Sequence, residues 1–292
     1  MKSLRRFCAV LLALCLLFPV AALADNGSII SLGADITETQ KQDILAYLSP
    51  KEGEVTRIIT ITNQDERDLL GNYISAAQIG TRSISCSSVT LLENGKGISV
   101  QTNNITWVTA DMYKNALITA GINDAAVVVT APFPVSGTAA LAGIYKAYES
   151  AAGKELVAEA KSAAGEELAI TGQLGDLLGQ EEAAQLLAQL KEEVVKQGLD
   201  KPETIKPAIE QAATELGVTL SSEQIDMLTN LLLRLLELDL DPTKLAEQVN
   251  SIMGTLQNLQ KAADTTNNFL GGMKSGWDNF VGWIKGLFGG KK

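Results

Sequence analysis

Ala125-Ala-Val-Val-Val-Thr-Ala-Pro-Phe-Pro-Val-Ser-Gly-Thr-Ala-Ala-Leu141 is the stretch on which the fold turns. Its first six residues, Ala125 to Thr130, form an apolar, β-branched run with the length of a strand buried on both faces. Two prolines and the Ser136-Gly137 pair interrupt that run. Ser136 reads as the cap of a helix whose Ala-, Leu- and Tyr-rich residues run to Ala152. A buried strand fed through a stiff turn into a helix is a building unit of folds in which helices pack on a sheet.

Upstream, strand and helix signals alternate. Ser28 to Leu32 reads as a strand, and Thr37 with Gln40 three residues on is a capping box opening a helix to Leu48. Val55 to Ile61 alternates and is β-branched, which marks a strand. Asn63 with Glu66 has cap spacing before a helix toward Ser75. Ile84 to Leu92 and Ile98 to Gln101 flank Asn94-Gly95-Lys96-Gly97, a hairpin signal, and Thr109 opens a helix to Ala120.

Downstream, strand signals almost vanish. Helices are expected over 154–169, 180–198, 203–216, 222–238 and 243–264, broken at Gly172 and Gly175, Gly198, Pro202, Gly217 and Pro242. Leu228, Leu231, Leu232, Leu233, Leu235, Leu236 and Leu238 run nearly all round the fourth of these, which places it at a bundle centre. The expected class is therefore α+β, an α/β-like sheet domain over 25–152 followed by an all-helical region over 153–268.

Both ends differ from this body. Residues 1–24 combine a basic start (Lys2, Arg5, Arg6), an apolar run from Phe7 to Val20 and the small-residue site Ala22-Leu23-Ala24. That is the pattern of an export signal cut after Ala24, since the apolar run is roughly two-thirds of a bilayer-spanning helix. Residues 269–292 place Phe269, Met273, Trp277, Phe280, Ile284, Leu287 and Phe288 within an arc of roughly 120° at helical periodicity. Lys274 and Lys285 lie opposite, and Trp283 sits at the rim. This amphipathic, cationic tail suits an anionic membrane surface, with aromatic side chains below the headgroups and lysines among them. The alternative is a helix docked on the bundle through the same face.

Composition excludes several chemistries. The 292 residues include no histidine, three cysteines, 24 basic and 34 acidic side chains, a net charge of −10. Without histidine there is no Ser-His-Asp or Cys-His pair and no histidine-ligated metal, so no metal or other cofactor is expected. The acidic balance disfavours nucleic acid, which requires clustered Lys and Arg. Removal of the signal takes Cys8 and Cys15 with it and leaves 21 basic against 34 acidic side chains. Cys86, in an alternating strand-like setting without a basic neighbour, reads as a core residue and not a nucleophile.

Two sites within the body have chemical content. At the turn Ala131 to Thr138, Ser136, Gly137 and Thr138 stand at a helix start, where hydroxyls and free amides can hold an anion. It is no P-loop, because GxxxxGK[ST] is missing, and neither SxxK nor GxSxG is present. Carboxylate pairs for glycan hydrolysis need no histidine, and Asp35, Asp65, Glu66, Asp68, Asp111 and Asp124 are the candidates.

Several strings carry a resemblance. They are Ser31-Leu-Gly-Ala-Asp35, Ile79-Gly-Thr-Arg82, Asn103-Asn-Ile-Thr106, Met112 to Ile122, Ala131 to Leu141, and Gly143-Ile-Tyr-Lys-Ala-Tyr-Glu149. With these the chain resembles the YpuA-like family of exported bacterial proteins, a conserved domain of unknown function found mainly in spore-forming Gram-positive bacteria. The resemblance implies export and a cell-envelope or extracellular site, and supplies no catalytic residues. The expected role is a secreted, envelope-associated binding or structural module, attached to the membrane or a cell-wall polymer and not an enzyme. The alternative is a carboxylate-based envelope glycan hydrolase.

Overall fold

The computed structural model describes residues 27–48, 55–215, 219–238, 240–247 and 249–250. The signal segment 1–24, the tail 269–292 and the last expected helix beyond residue 250 lie outside the described residues. Within them the fold is α+β, as read from the sequence.

Five strands, β1 (Ser28–Gly33), β2 (Val55–Ile61), β3 (Cys86–Leu91), β4 (Ile98–Ile105) and β5 (Ala125–Val135), form one sheet in the order β2-β1-β3-β5-β4. β1 and β2 are parallel, as are β4 and β5; β3 joins the two pairs, antiparallel to both β1 and β5. Helix α1 (Glu38–Leu48) covers one face, where Ile44 and Leu48 pack with Ile30, Leu32 and Cys86. The other face carries α4 (Ala110–Thr119) and α5 (Thr138–Ala152), whose Met112, Tyr113, Leu141 and Ile144 share a core with Val89, Val127 and Val129. The alternation along β5 therefore sends its valines to two different cores, as a two-sided buried strand requires.

The expected β3–β4 hairpin does not form. The two strands do run in opposite directions about the Gly95 turn, but β5 lies between them and pairs with both. The cap before α2 (Asn63–Leu70) is also shifted by one residue. Thr62 and Asp65 form the capping box, and Glu66 is released to point inward. The Thr37–Gln40 box stands as expected, with Thr37 N donating to Gln40 Oε1 at 2.9 Å and Gln40 N to Thr37 Oγ1 at 3.3 Å. A short α3 (Ala76–Ile79) follows α2.

Four helices follow, α6 (Ala158–Leu178), α7 (Gln180–Gln197), α8 (Pro202–Glu215) and α9 (Ser222–Leu236), and a helical segment over 242–247 comes after them. Gly172 and Gly175 do not break α6, which runs through both to Leu178. The reason at Gly172 is close packing, since a Cβ there would lie 2.1 Å from the Trp107 ring. Leu228, Leu231, Leu232 and Leu235 of α9 are buried, while Leu233, Leu236 and Leu238 are only partly covered, so α9 is one-sided instead of central.

The helical layer is welded to the sheet domain by a polar cluster. Lys191 of α7 donates to Glu167 of α6 at 2.7 Å, to Thr119 Oγ1 of α4 at 3.0 Å and to the Asn115 carbonyl at 3.2 Å. Thr119 in turn donates to Glu167, and Asn115 Nδ2 donates to the Ala184 carbonyl at 2.8 Å. Charges this deeply buried persist only with such complete pairing.

Candidate functional site

The chain from β5 into α5 is held by β4 and the loop that follows it. Asn104 has φ 55, breaks the β4 register, and donates from Nδ2 to the Ala131 carbonyl at 2.9 Å. Beyond Ala131, β5 no longer pairs with β3, which is where Pro132 and Pro134 can stand without leaving a ladder donor missing. Pairing with β4 resumes at Ile105 and Val135; Thr106 N then reaches the Val135 carbonyl at 2.9 Å and Val108 N the Ser136 carbonyl at 3.0 Å. The segment read as a turn is thus strand as far as Val135.

The expected Ser136 cap is absent. Gly137 occupies the N-cap position at φ 97, in the left-handed region, with no side chain capping α5. A Cβ on Gly137 would also lie 2.5 Å from Ile105 Cγ2 and 2.7 Å from the Tyr113 hydroxyl, so both conformation and space require glycine. Ala140 N turns back to the Gly137 carbonyl at 3.1 Å, and no side chain caps the Thr138 and Ala139 amides before it. Ser136 instead lies 3.0 Å from Thr138 Oγ1, oxygen to oxygen.

Thr138 donates to Glu66 Oε1 at 2.5 Å, and Asn63 Nδ2 donates to Glu66 Oε2 at 3.2 Å. Glu66 is 1% exposed. Burial pushes its carboxyl above the usual range, opposed by the hydrogen bonds from Thr138 and Asn63 and by the Arg67 charge. Tyr113 donates to the Gly137 carbonyl at 2.5 Å, and burial followed by the Glu66 charge drives its phenol far upward. Tyr113 therefore serves as a neutral donor that clamps the turn.

Glu66, Gly137 and Thr138 line an open cavity of about 200 Å³. Ser136, Gly137 and Thr138 form one wall, and Glu66 reaches it from α2. Thr81, Arg82 and Ser85 from the segment between α3 and β3 also line it, while Ile79, Ile84, Phe133 and Val135 supply apolar surface. That segment has no regular structure, yet it is pinned. Asp35 accepts from Ser83 N at 2.7 Å and its own N donates to the Ser83 carbonyl at 3.1 Å, and Arg67 donates to the Gly80 carbonyl.

All three residues of the expected binding turn are brought together here. Of the six carboxylates considered for hydrolysis, Glu66 lines the cavity. Asp35 holds Ser83, Asp65 binds Thr62 and Lys146, Asp68 accepts from Gln64, Asp111 pairs with Lys114, and Asp124 accepts from Gly97 N. Arg82 and Ser85 were not singled out for chemistry. Arg82 belongs to the Ile79-Gly-Thr-Arg82 string, but nothing local places it in one cavity with Ser136. Among the described residues no group of three or more Cys, Asp or Glu is arranged to hold a metal ion, and no helix is long and apolar enough to cross a membrane.

A family described as a protein of unknown function (DUF1002) matches residues 32–252, a span that runs from the end of β1 through β2 to β5, the cavity and α6 to α9. The chain belongs to this family. It is 41% identical over 261 residues to the uncharacterized protein YpuA of Bacillus subtilis (strain 168), covering 88% of this chain and 86% of that protein. No solved structure matches. The family span contains every cavity-lining residue and stops short of the cationic tail.

Proposed function

We propose that this protein is an exported, envelope-associated binding module whose ligand enters the cavity between Arg82 and the start of α5. The observation that carries this reading is the lining itself. Thr81, Arg82, Ser85, Ser136 and Thr138 line the cavity at the start of α5, beside Phe133, Ile79 and Ile84. A wall that is more polar than apolar suits a ligand with hydrogen-bonding groups of its own. The volume suits one sugar ring or a short polar appendage of a wall polymer. The export pattern of residues 1–24 and the family resemblance give the envelope as its setting, with the 269–292 tail as the attachment to anionic lipid.

Binding is favoured over glycan hydrolysis because the cavity wall holds one carboxylate, Glu66, among the described residues, whereas the two-carboxylate mechanism needs a second across the scissile bond. Incubation with purified peptidoglycan or wall teichoic acid tests the reading. Retention of the protein without released products is expected, and loss of that retention in Arg82→Ala together with Thr138→Val. Released muropeptides or sugars would establish the hydrolase instead. Co-sedimentation with anionic vesicles tests the tail, and unchanged sedimentation after deletion of 269–292 removes it as the anchor.

A further inference from the structure

The charges around the cavity pose a specific problem. The uncapped α5 start and Arg82 favour a negative group, yet the Glu66 carboxyl lies within the same wall, one hydrogen bond from the first residue of that helix. A bare anion would be held at one side and repelled from the other. A bare cation would meet the reverse arrangement. A second observation points to a ligand with polar groups of its own. Ser85 lines the cavity, is 4% exposed, and makes no side-chain hydrogen bond among the described residues. Buried hydroxyls are ordinarily partnered, so one left open toward a cavity awaits an acceptor or donor from outside the chain.

Resting on the binding reading above, we propose that the cavity recognises an α-ammonium carboxylate group. Its ammonium faces Glu66, and its carboxylate is held by Arg82, the first amides of α5 and the Ser85 hydroxyl. Ile79, Ile84 and Phe133 leave room beside these groups for a small side chain or the start of a linker. Each Glu66 oxygen already accepts one hydrogen bond, from Thr138 or Asn63, and each keeps a further lone pair for an ammonium donor. The same chemical group occurs in free amino acids and at the zwitterionic end of a diamino dicarboxylic acid in a wall peptide. An ammonium at this position favours the ionised carboxylate against the burial that raises its pKa, so ligand affinity rises with pH through the Glu66 titration.

Isothermal titration of the protein with D-alanine, L-alanine and diaminopimelate, against propionate and ethylamine as the separate halves, tests this. Zwitterions are expected to bind at least about tenfold more tightly than either half, about 1.4 kcal/mol. Glu66→Gln abolishes that advantage and tightens propionate, because the carboxylate that repels a bare anion is gone. Arg82→Ala, at an exposed position, weakens both. A thermal midpoint for each variant confirms folding. Preference for diaminopimelate identifies the wall peptide as the source, and preference for alanine the free amino acid. Propionate binding as tightly as alanine, or Glu66→Gln leaving alanine binding unchanged in a folded variant, overturns the proposal. Retention on wall polymer without binding of any zwitterion at millimolar concentration overturns it too, and leaves the binding module standing.

Discussion

Lys191 Nζ lies 2.7 Å from Glu167 Oε1, and both side chains are wholly removed from solvent. The pair joins α7 to α6, and through Thr119 and the Asn115 carbonyl it reaches α4, the helix whose Tyr113 donates to the Gly137 carbonyl. The helical layer and the sheet domain are thereby tied together by a charge pair that neither could bury alone.

Lys191→Met removes the cation and leaves Glu167 buried without its charge partner. The expected loss in urea unfolding is about 3–5 kcal/mol. The double variant Lys191→Met with Glu167→Leu removes both charges and is expected to recover most of that loss, because an apolar replacement of a buried pair is often neutral. A double variant as unstable as the single one would show that packing, and not charge, governs this junction.

Gly137→Ala places a Cβ against Ile105 and Tyr113 at a φ of 97. Left-handed backbone alone costs a non-glycine residue about 1–2 kcal/mol, and the clash adds to it. Gly198→Ala is the control, since Gly198 has φ 64 with nothing within 4 Å of its Cβ direction. Thermal unfolding should show the larger fall at Gly137, together with loss of the Tyr113 clamp on the turn.

Cys86 is fully buried, accepts from Gly33 N at 3.4 Å, and has its thiol pushed up to about 11, by burial, with the Gly33 hydrogen bond opposing. It should resist iodoacetamide at pH 8 in the native protein and be alkylated once the chain is unfolded in urea, as read by peptide mass spectrometry. Rapid native labelling at Cys86 would mean that the α1 face opens readily.

The limits of the sequence reading follow from where the information resides. Periodicity found β2 and the α4 start because both are local patterns. Asn94 to Gly97 correctly marked a reversal, but no local residue announces that β5, arriving about thirty residues later, will enter between the two strands. Asn63 with Glu66 and Thr62 with Asp65 are equally good cap pairs one residue apart. The choice is made by Thr138, which draws Glu66 inward from 72 positions away. The passage from β5 into α5 was legible in outline because strand, prolines and helix start are contiguous, although the strand runs on to Val135 and Gly137, not Ser136, is the cap. Glu66, Arg82 and Ser85, which line the same cavity, come from other elements, and only the sheet order brings them together.

Glu181, in the first turn of α7, gives the pH dependence its sign. Burial, then the negative charges of Asp111 and Glu182, push its carboxyl up to about 7, against a hydrogen bond from Thr109 and the Lys114 charge. A carboxyl raised in the folded state binds its proton more tightly there than in the unfolded chain. Its stabilising contribution is therefore complete below the ordinary value of 4.5 and is lost as pH rises through about 7. Glu181→Gln keeps an acceptor for Thr109 without the charge. The variant should match the parent in thermal midpoint at pH 4.5 and exceed it at pH 8. Since Thr109 also caps α4 through Met112 N, the gain should appear as slower amide exchange at the start of that helix. Equal midpoints at pH 8 would show that Lys114 already neutralises the cluster.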